Sequence, residues 1–182
     1  MKRRLPDKQK RLYAKITGRR EVAHQRAGLE ALTRRLKLEG AVMVEVGSYT
    51  GESAEIFAKS GSFRKIYCVD PWSRTPTEAE SLFDKRTKPY PEILKLKGRS
   101  VAASRQFSNA SVDFVYIDAD HRYSAVKADI LAWLPKVKPG GWIGGHDYRW
   151  RFKGVIRAVD EELGLPLRVF QDSSWLVKVP KL

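Results

Sequence analysis

Five side chains in two short segments are of types that could do chemistry together. Asp118, Asp120 and His121 stand in Ile117-Asp118-Ala119-Asp120-His121, and His146 and Asp147 follow Gly144-Gly145. Carboxylate oxygens are the ligands that hard divalent cations prefer, and Mg²⁺ takes few of them while keeping several waters. A histidine in the set moves the preference toward Mn²⁺, Fe²⁺ or Zn²⁺, or it serves as a base near neutral pH with no metal bound. A cation on a hydroxyl lowers its pKa and orients it. The alternative is structural, because Asp118 or Asp120 can cap a helix that starts after Tyr123.

A third segment, Val44-Glu45-Val46-Gly47-Ser48-Tyr49-Thr50-Gly51-Glu52-Ser53, has the pattern of a strand, a glycine turn and a helix start. Dinucleotide sites use this geometry with three glycines, whereas here only Gly47 and Gly51 are in place. Glu45 would repel a bound pyrophosphate. It favours a nucleoside cofactor carrying positive charge, and S-adenosylmethionine (SAM), with an ammonium, a sulfonium and no phosphate, meets that demand. Asp70 comes 19 residues after Gly51, where a strand-end carboxylate accepts from both ribose hydroxyls. Tyr49, Trp72 and Ser100 are further candidates. Trp72 could stack near the adenine and Ser100 touch its edge, or each could serve packing.

The elements that must position these residues follow from periodicity. Glu21–Lys37 has apolar positions at helical spacing and stops at Glu39-Gly40. Ala41–Val46, Lys65–Val69, Ile93–Lys97, Val112–Ile117 and Trp142–Gly145 read as strands. Ser53–Lys59, a short piece near Thr77–Arg86, Ser124–Leu134 and Gly154–Leu163 read as helices. Lys138-Pro139-Gly140-Gly141 reads as a turn, Trp133 and Trp142 as core. Leu167–Phe170 and Trp175–Val179, joined by Gln171–Ser174, close the chain as an antiparallel edge. Alternating strands and helices imply an α/β, doubly wound, mostly parallel seven-stranded sheet. Ligands of such sheets sit beyond the carboxyl ends of the strands, where Asp70, Asp118, His146 and Asp147 fall.

Composition sets bounds. The 182 residues, 42% of them hydrophobic, suit one domain. No run of apolar residues is long enough to span a membrane, and the basic N-terminus lacks the apolar run of a secretory signal. The single Cys68 excludes an internal disulfide and a multi-cysteine zinc site. A cytoplasmic protein is expected. The net charge of +14 is partly local, since residues 1–20 carry nine basic side chains against one acid, Asp7. That stretch reads as a basic arm before a domain over 21–182, either a solvated tail or a phosphate-binding segment.

The segments together resemble the class I SAM-dependent methyltransferases, and more narrowly the metal-dependent catechol/caffeoyl-CoA-type and antibiotic-tailoring O-methyltransferases. Val44–Ser53 is similar to the first motif, Val69-Asp70-Pro71-Trp72 to the ribose-binding strand end, Val112–Tyr123 to the fourth-strand motif and Lys138–Tyr148 to the fifth, spanning residue 41 to about residue 160. The resemblance implies a Rossmann-like fold and a methyl transfer from SAM to a hydroxyl of a small molecule. It carries Glu45, Gly47, Tyr49, Gly51, Ser53, Asp70, Trp72, Ser100 and Asp118 to the cofactor. Asp118, His146 and Asp147 become ligands of a divalent metal, Mg²⁺ or Mn²⁺. His121 stands where the catechol-type enzymes have a catalytic lysine, and Asp118 shares the catalytic role. The His-Asp pair departs from the family's usual Asp-Asn, Asp-Asp or Glu-Asp. An RNA hydroxyl is the alternative acceptor, suggested by the basic arm. The absence of an Asn/Asp-Pro-Pro-Tyr box argues against base-amine chemistry, and Cys68, within a strand, argues against C5 chemistry. A fold that has lost activity is disfavoured by the intact strand-end acids. A small domain with little cover could complete its site as a homodimer.

Overall fold

The computed structural model describes residues 23–73 and 78–181; the basic arm lies outside them. A helix over 23–36 (α1) precedes β1 (Ala41–Val46), and the chain continues through α2 (Glu52–Lys59), β2 (Phe63–Asp70), α3 (Glu78–Thr87) and β3 (Ile93–Lys97). Then come α4 (Ser100–Ser104), β4 (Val112–Ile117), α5 (Tyr123–Trp133), a 3₁₀ turn at Leu134–Lys136, β5 (Val137–Gly145), α6 (Lys153–Leu163), β6 (Arg168–Val169) and β7 (Trp175–Lys178). All seven strands join one sheet in the order β3-β2-β1-β4-β5-β7-β6. The first five are parallel, and β7 runs antiparallel to both β5 and β6.

β1 is buried at all six positions because it is covered on both faces. Ala41 and Met43 pack with Leu29, Leu32, Leu36 and Phe57 of α1 and α2. Val42, Val44 and Val46 pack with Val126, Ile130, Val155 and Val159 of α5 and α6. Trp133 and Trp142 lie in the core as expected, and Cys68 is buried in β2. Truncating a residue such as Trp133, fully buried here, costs about 3–5 kcal/mol.

One expectation is refined. The segment Lys138-Pro139-Gly140-Gly141, read as a turn, belongs to β5. Its register with β4 is broken between Val112 and Phe114, and Gly140 takes φ 76°. The segment thus bends within a strand, and its Pro and Gly read locally as a break. The closing pair forms the expected antiparallel edge, with β7 beside β5 and the two-residue β6 outermost. The α4 turn has too few residues for a periodic signal.

From β1 the chain moves outward through β2 to β3, then crosses back to lay β4 on the other side of β1, so the strand order reverses there. A crevice forms at this switch point, outside the carboxyl ends of the strands.

Candidate functional site

The crevice is a cavity of about 860 Å³ running from the glycine turn, past Asp70 and Ser100, to Asp118. Its volume suits a nucleoside-sized ligand.

The glycine turn is shaped by backbone contacts. Gly47 has φ 91°, and a Cβ there would run into the Asp118 carbonyl carbon at 2.6 Å and the Ala119 Cα at 2.7 Å. The missing side chain therefore lets the turn press against the end of β4. Gly51 has another task. In the left-handed region at φ 78° it begins α2, and a Cβ would meet Phe83 at 3.0 Å and Thr87 at 3.1 Å. It is a packing glycine between α2 and α3.

Asp70 ties the turn to β2. Its Oδ2 accepts the Tyr49 amide at 3.0 Å, and its Oδ1 accepts the Trp72 amide at 2.7 Å. Each oxygen retains a lone pair, and Asp70 lines the cavity with Tyr49 and Ser53. Trp72 is turned away from the cavity. Its ring packs on Phe83 at 4.9 Å beneath the Lys95 ammonium, and its Nε1 donates to the Tyr49 carbonyl at 2.7 Å. Of the two roles open to it, the structure shows the packing one. Ser100 lines the cavity and accepts from Trp133 Nε1 at 2.9 Å.

Glu45 lies behind the turn, fully buried. Its Oε2 accepts from the Cys68 thiol at 3.5 Å, while Oε1 and the Ser48 hydroxyl have no hydrogen-bond partner. Burial pushes its pKa up to about 7, a rise moderated by the neighbouring polar groups of Ser53, Ser48 and Cys68. Ser48 and Ser53 both line the cavity, so they stand between it and the carboxylate.

At the far end, Asp118, His121 and Asp147 offer three ligand atoms within 4.8 Å of one another. His121 Nε2 lies 2.8 Å from Asp147 Oδ2 and 3.5 Å from Asp118 Oδ1. The short contact is an ion pair without aligned hydrogen-bond geometry. The two carboxylates, Asp118 and Asp147, raise the His121 pKa to about 10. Without a cation in the cluster, the two carboxylates favour the protonated imidazole. Burial would raise the Asp147 carboxyl, but His121 and His146 outweigh it and hold the group well below the usual carboxylate range. Asp147 itself adopts φ 61°.

His146, expected beside Asp147 as a ligand, faces elsewhere. Its Nδ1 is 3.5 Å from Asp147 Oδ1 and its Nε2 is 3.8 Å from Asp172 Oδ2. It stands behind the three-atom cluster. Asp120 neither joins the cluster nor caps α5; it accepts from the Arg122 amide and pairs with the Arg122 guanidinium.

Some site residues were not singled out from sequence. Arg149 Nη2 lies 2.8 Å from Asp147 Oδ1, with its guanidinium over Phe152. Nothing in its spacing signals that pairing. Asp129 lines the cavity from α5, its pKa raised to about 6 by burial and moderated by Ser100. An acid on the buried face of α5 between Val126 and Trp133 was a readable signal.

A family model described as a methyltransferase domain matches residues 44–148. No curated protein matches the chain. Among solved structures, a Klebsiella pneumoniae protein provisionally assigned as an O-methyltransferase aligns with TM-score 0.64 and 15% identity, covering 88% of this chain and 81% of that one. CalS11, a TDP-rhamnose 3′-O-methyltransferase of calicheamicin biosynthesis, aligns with TM-score 0.60 and 18% identity over 85% and 78%. Aeropyrum pernix fibrillarin, with natively bound S-adenosyl-L-methionine, aligns with TM-score 0.55 and 13% identity over 78% and 66%. The chain spans 49% of Bacillus subtilis YcgJ and 26% of a Haemonchus contortus phosphoethanolamine N-methyltransferase, which it also resembles. At these identities the structures speak for the fold. The family model, whose matched stretch runs from the glycine turn to the end of the fifth-strand loop, speaks for the lineage: the chain belongs to the methyltransferase-domain family.

Proposed function

We propose that the protein transfers the methyl group of SAM to a hydroxyl of a small molecule, with a divalent cation at Asp118, His121 and Asp147. The observation that carries this reading is the cavity joining the glycine turn to Asp118, whose Oδ1 lies 3.5 Å from His121 Nε2 beside the His121–Asp147 pair. Asp70 has free lone pairs for a ribose, and Glu45, behind Ser48 and Ser53, supplies negative potential for a cationic cofactor. The donor set fits a metal, because two carboxylates and an imidazole lie within 4.8 Å, while His121 Nε2 and Asp147 Oδ1 are buried without aligned hydrogen-bond partners. Such a mixed set favours Mn²⁺ or Fe²⁺ over Mg²⁺. A bound cation would lower the pKa of an acceptor hydroxyl. Asp118, at the cavity wall, is placed to receive that proton. Until a cation binds, His121 and Arg149 supply the positive charge that Asp147 requires.

The test is calorimetry with SAM, followed by Mn²⁺ titration read by electron paramagnetic resonance. One SAM site and one Mn²⁺ site per chain are expected. Absence of SAM binding would sink the whole reading. SAM binding without Mn²⁺ binding, and with turnover indifferent to chelator, would sink the metal alone. The net charge of +14 favours a second reading, an RNA hydroxyl as acceptor. It predicts salt-dependent RNA binding that survives removal of residues 1–20.

A further inference from the structure

The turn between β6 and β7, Gln171–Ser174, is far from every sequence motif, yet it holds an acid of unusual seclusion. The Asp172 side chain is 2% exposed. Its Oδ1 accepts the Ser174 amide at 3.1 Å, and its Oδ2 accepts the Ser174 hydroxyl at 2.8 Å. That hydroxyl also shares a hydrogen bond of 3.0 Å with the buried Tyr116 on β4.

Two observations go beyond turn-making. First, His146 Nε2 is buried without a hydrogen-bond partner and lies 3.8 Å from Asp172 Oδ2, while Nδ1 of the same ring lies 3.5 Å from Asp147 Oδ1. The ring is set between two carboxylates. Acids and imidazoles then alternate from the cavity wall inward, as Asp118, His121, Asp147, His146 and Asp172. Second, α1 makes room for this arrangement. A Cβ on Gly28 would overlap the Asp172 carboxylate. A mid-helix glycine costs about 1 kcal/mol relative to alanine, so its absence of side chain is tied to the seat of Asp172.

We propose that Asp172 is a positioning residue: it anchors His146 from the core side, and His146 in turn fixes the Asp147 carboxylate that faces His121 and Asp118. This rests on the assignment of Asp147 to the proposed site. Outer partners of this kind orient the groups in contact with a ligand, and their loss costs about 10–100-fold in metal affinity. Gly28 is the space that keeps the anchor in place.

The chain has three histidines, His24, His121 and His146, which makes their imidazole resonances assignable in the full-length protein. Asp172→Asn keeps an acceptor oxygen for the Ser174 amide, sets a donating NH2 against the Ser174 hydroxyl, and removes the charge facing His146. The expected result is a shift of both the His146 and His121 resonances, with His24 unmoved. Gly28→Ala should produce the same pattern with a lower melting temperature, because its Cβ displaces the buried Asp172 carboxylate at a cost that exceeds the helix gain of alanine. Mn²⁺ affinity should fall about tenfold in both variants, with SAM affinity held within threefold. If Asp172→Asn shifts only His146, or neither ring, the relay to Asp147 does not exist. If only Asp172→Ala has any effect, and that effect is lower thermal stability, Asp172 merely builds its turn. The proposed function is tested separately by SAM and Mn²⁺ binding to the wild-type chain, and the histidine spectrum reports on the relay even where Mn²⁺ fails to bind.

Discussion

At the glycine-turn end of the cavity, Asp70 is locked by two backbone amides, and Gly47 rests on the backbone of Asp118 and Ala119. At the β4–β5 end, Asp147 is held only by side chains, those of His121, His146 and Arg149. Backbone contacts are rigid and indifferent to most substitutions. Side-chain contacts between ions can re-pair when a new charge arrives. The difference matches the proposed division of labour, with the cofactor at the backbone-held end and the ion and acceptor at the other.

The sharpest way to break this contrast is Asp147→Asn. Turnover on whichever hydroxyl acceptor a substrate panel reveals should fall by about 10²–10⁴-fold, with the calorimetric Kd for SAM unchanged within threefold. A parallel loss of SAM binding would merge the two ends into one. Gly47→Ala acts on the backbone-held end. Its Cβ has no room, and its φ is unfavourable for an L-residue. Thermal melts should show a loss of about 2–4 kcal/mol, with SAM binding abolished in the protein that remains folded.

The smallest effect concerns Glu45. Its pKa rises from 4.5 to about 7 on burial, so below about pH 4.5 it is neutral in both folded and unfolded chains. As pH rises to about 7 the unfolded chain ionises freely while the folded one resists, and stability is lost across that window. Glu45→Gln should therefore leave the melting temperature near wild type at pH 4.5 and raise it at pH 8, while weakening SAM binding at pH 8. A melting-temperature difference that does not widen with pH would show that Glu45 is not the strained group.

The fold was legible because its signals are local and repeated. Each strand is a short apolar run, and the turn after β1 needs glycine at position 47 for reasons of space. The strand-end acids were legible because the sheet delivers them to one edge. Which of two histidines meets Asp118 was not legible. His146 and Asp147 are consecutive, and the positive φ of Asp147 sends their side chains in directions that spacing does not encode. Trp72 illustrates the same limit. Its ring direction follows from its own φ of 46° and from Phe83, an element away. Asp172 carried no signal, because its partners come from α1, β4 and β5.

Three non-glycine residues around the proposed site, Tyr49, Trp72 and Asp147, share the left-handed backbone region. Such residues each cost about 1–3 kcal/mol, and only glycine, with asparagine and aspartate next, occupies that region readily. Evolutionary drift at these positions is thereby narrowed by backbone geometry before any chemistry is considered. At position 147 glycine would relax the chain and remove the carboxylate that faces His121 and Arg149. An aspartate, one of the few side chains that tolerate this backbone region, supplies the bend and the charge together.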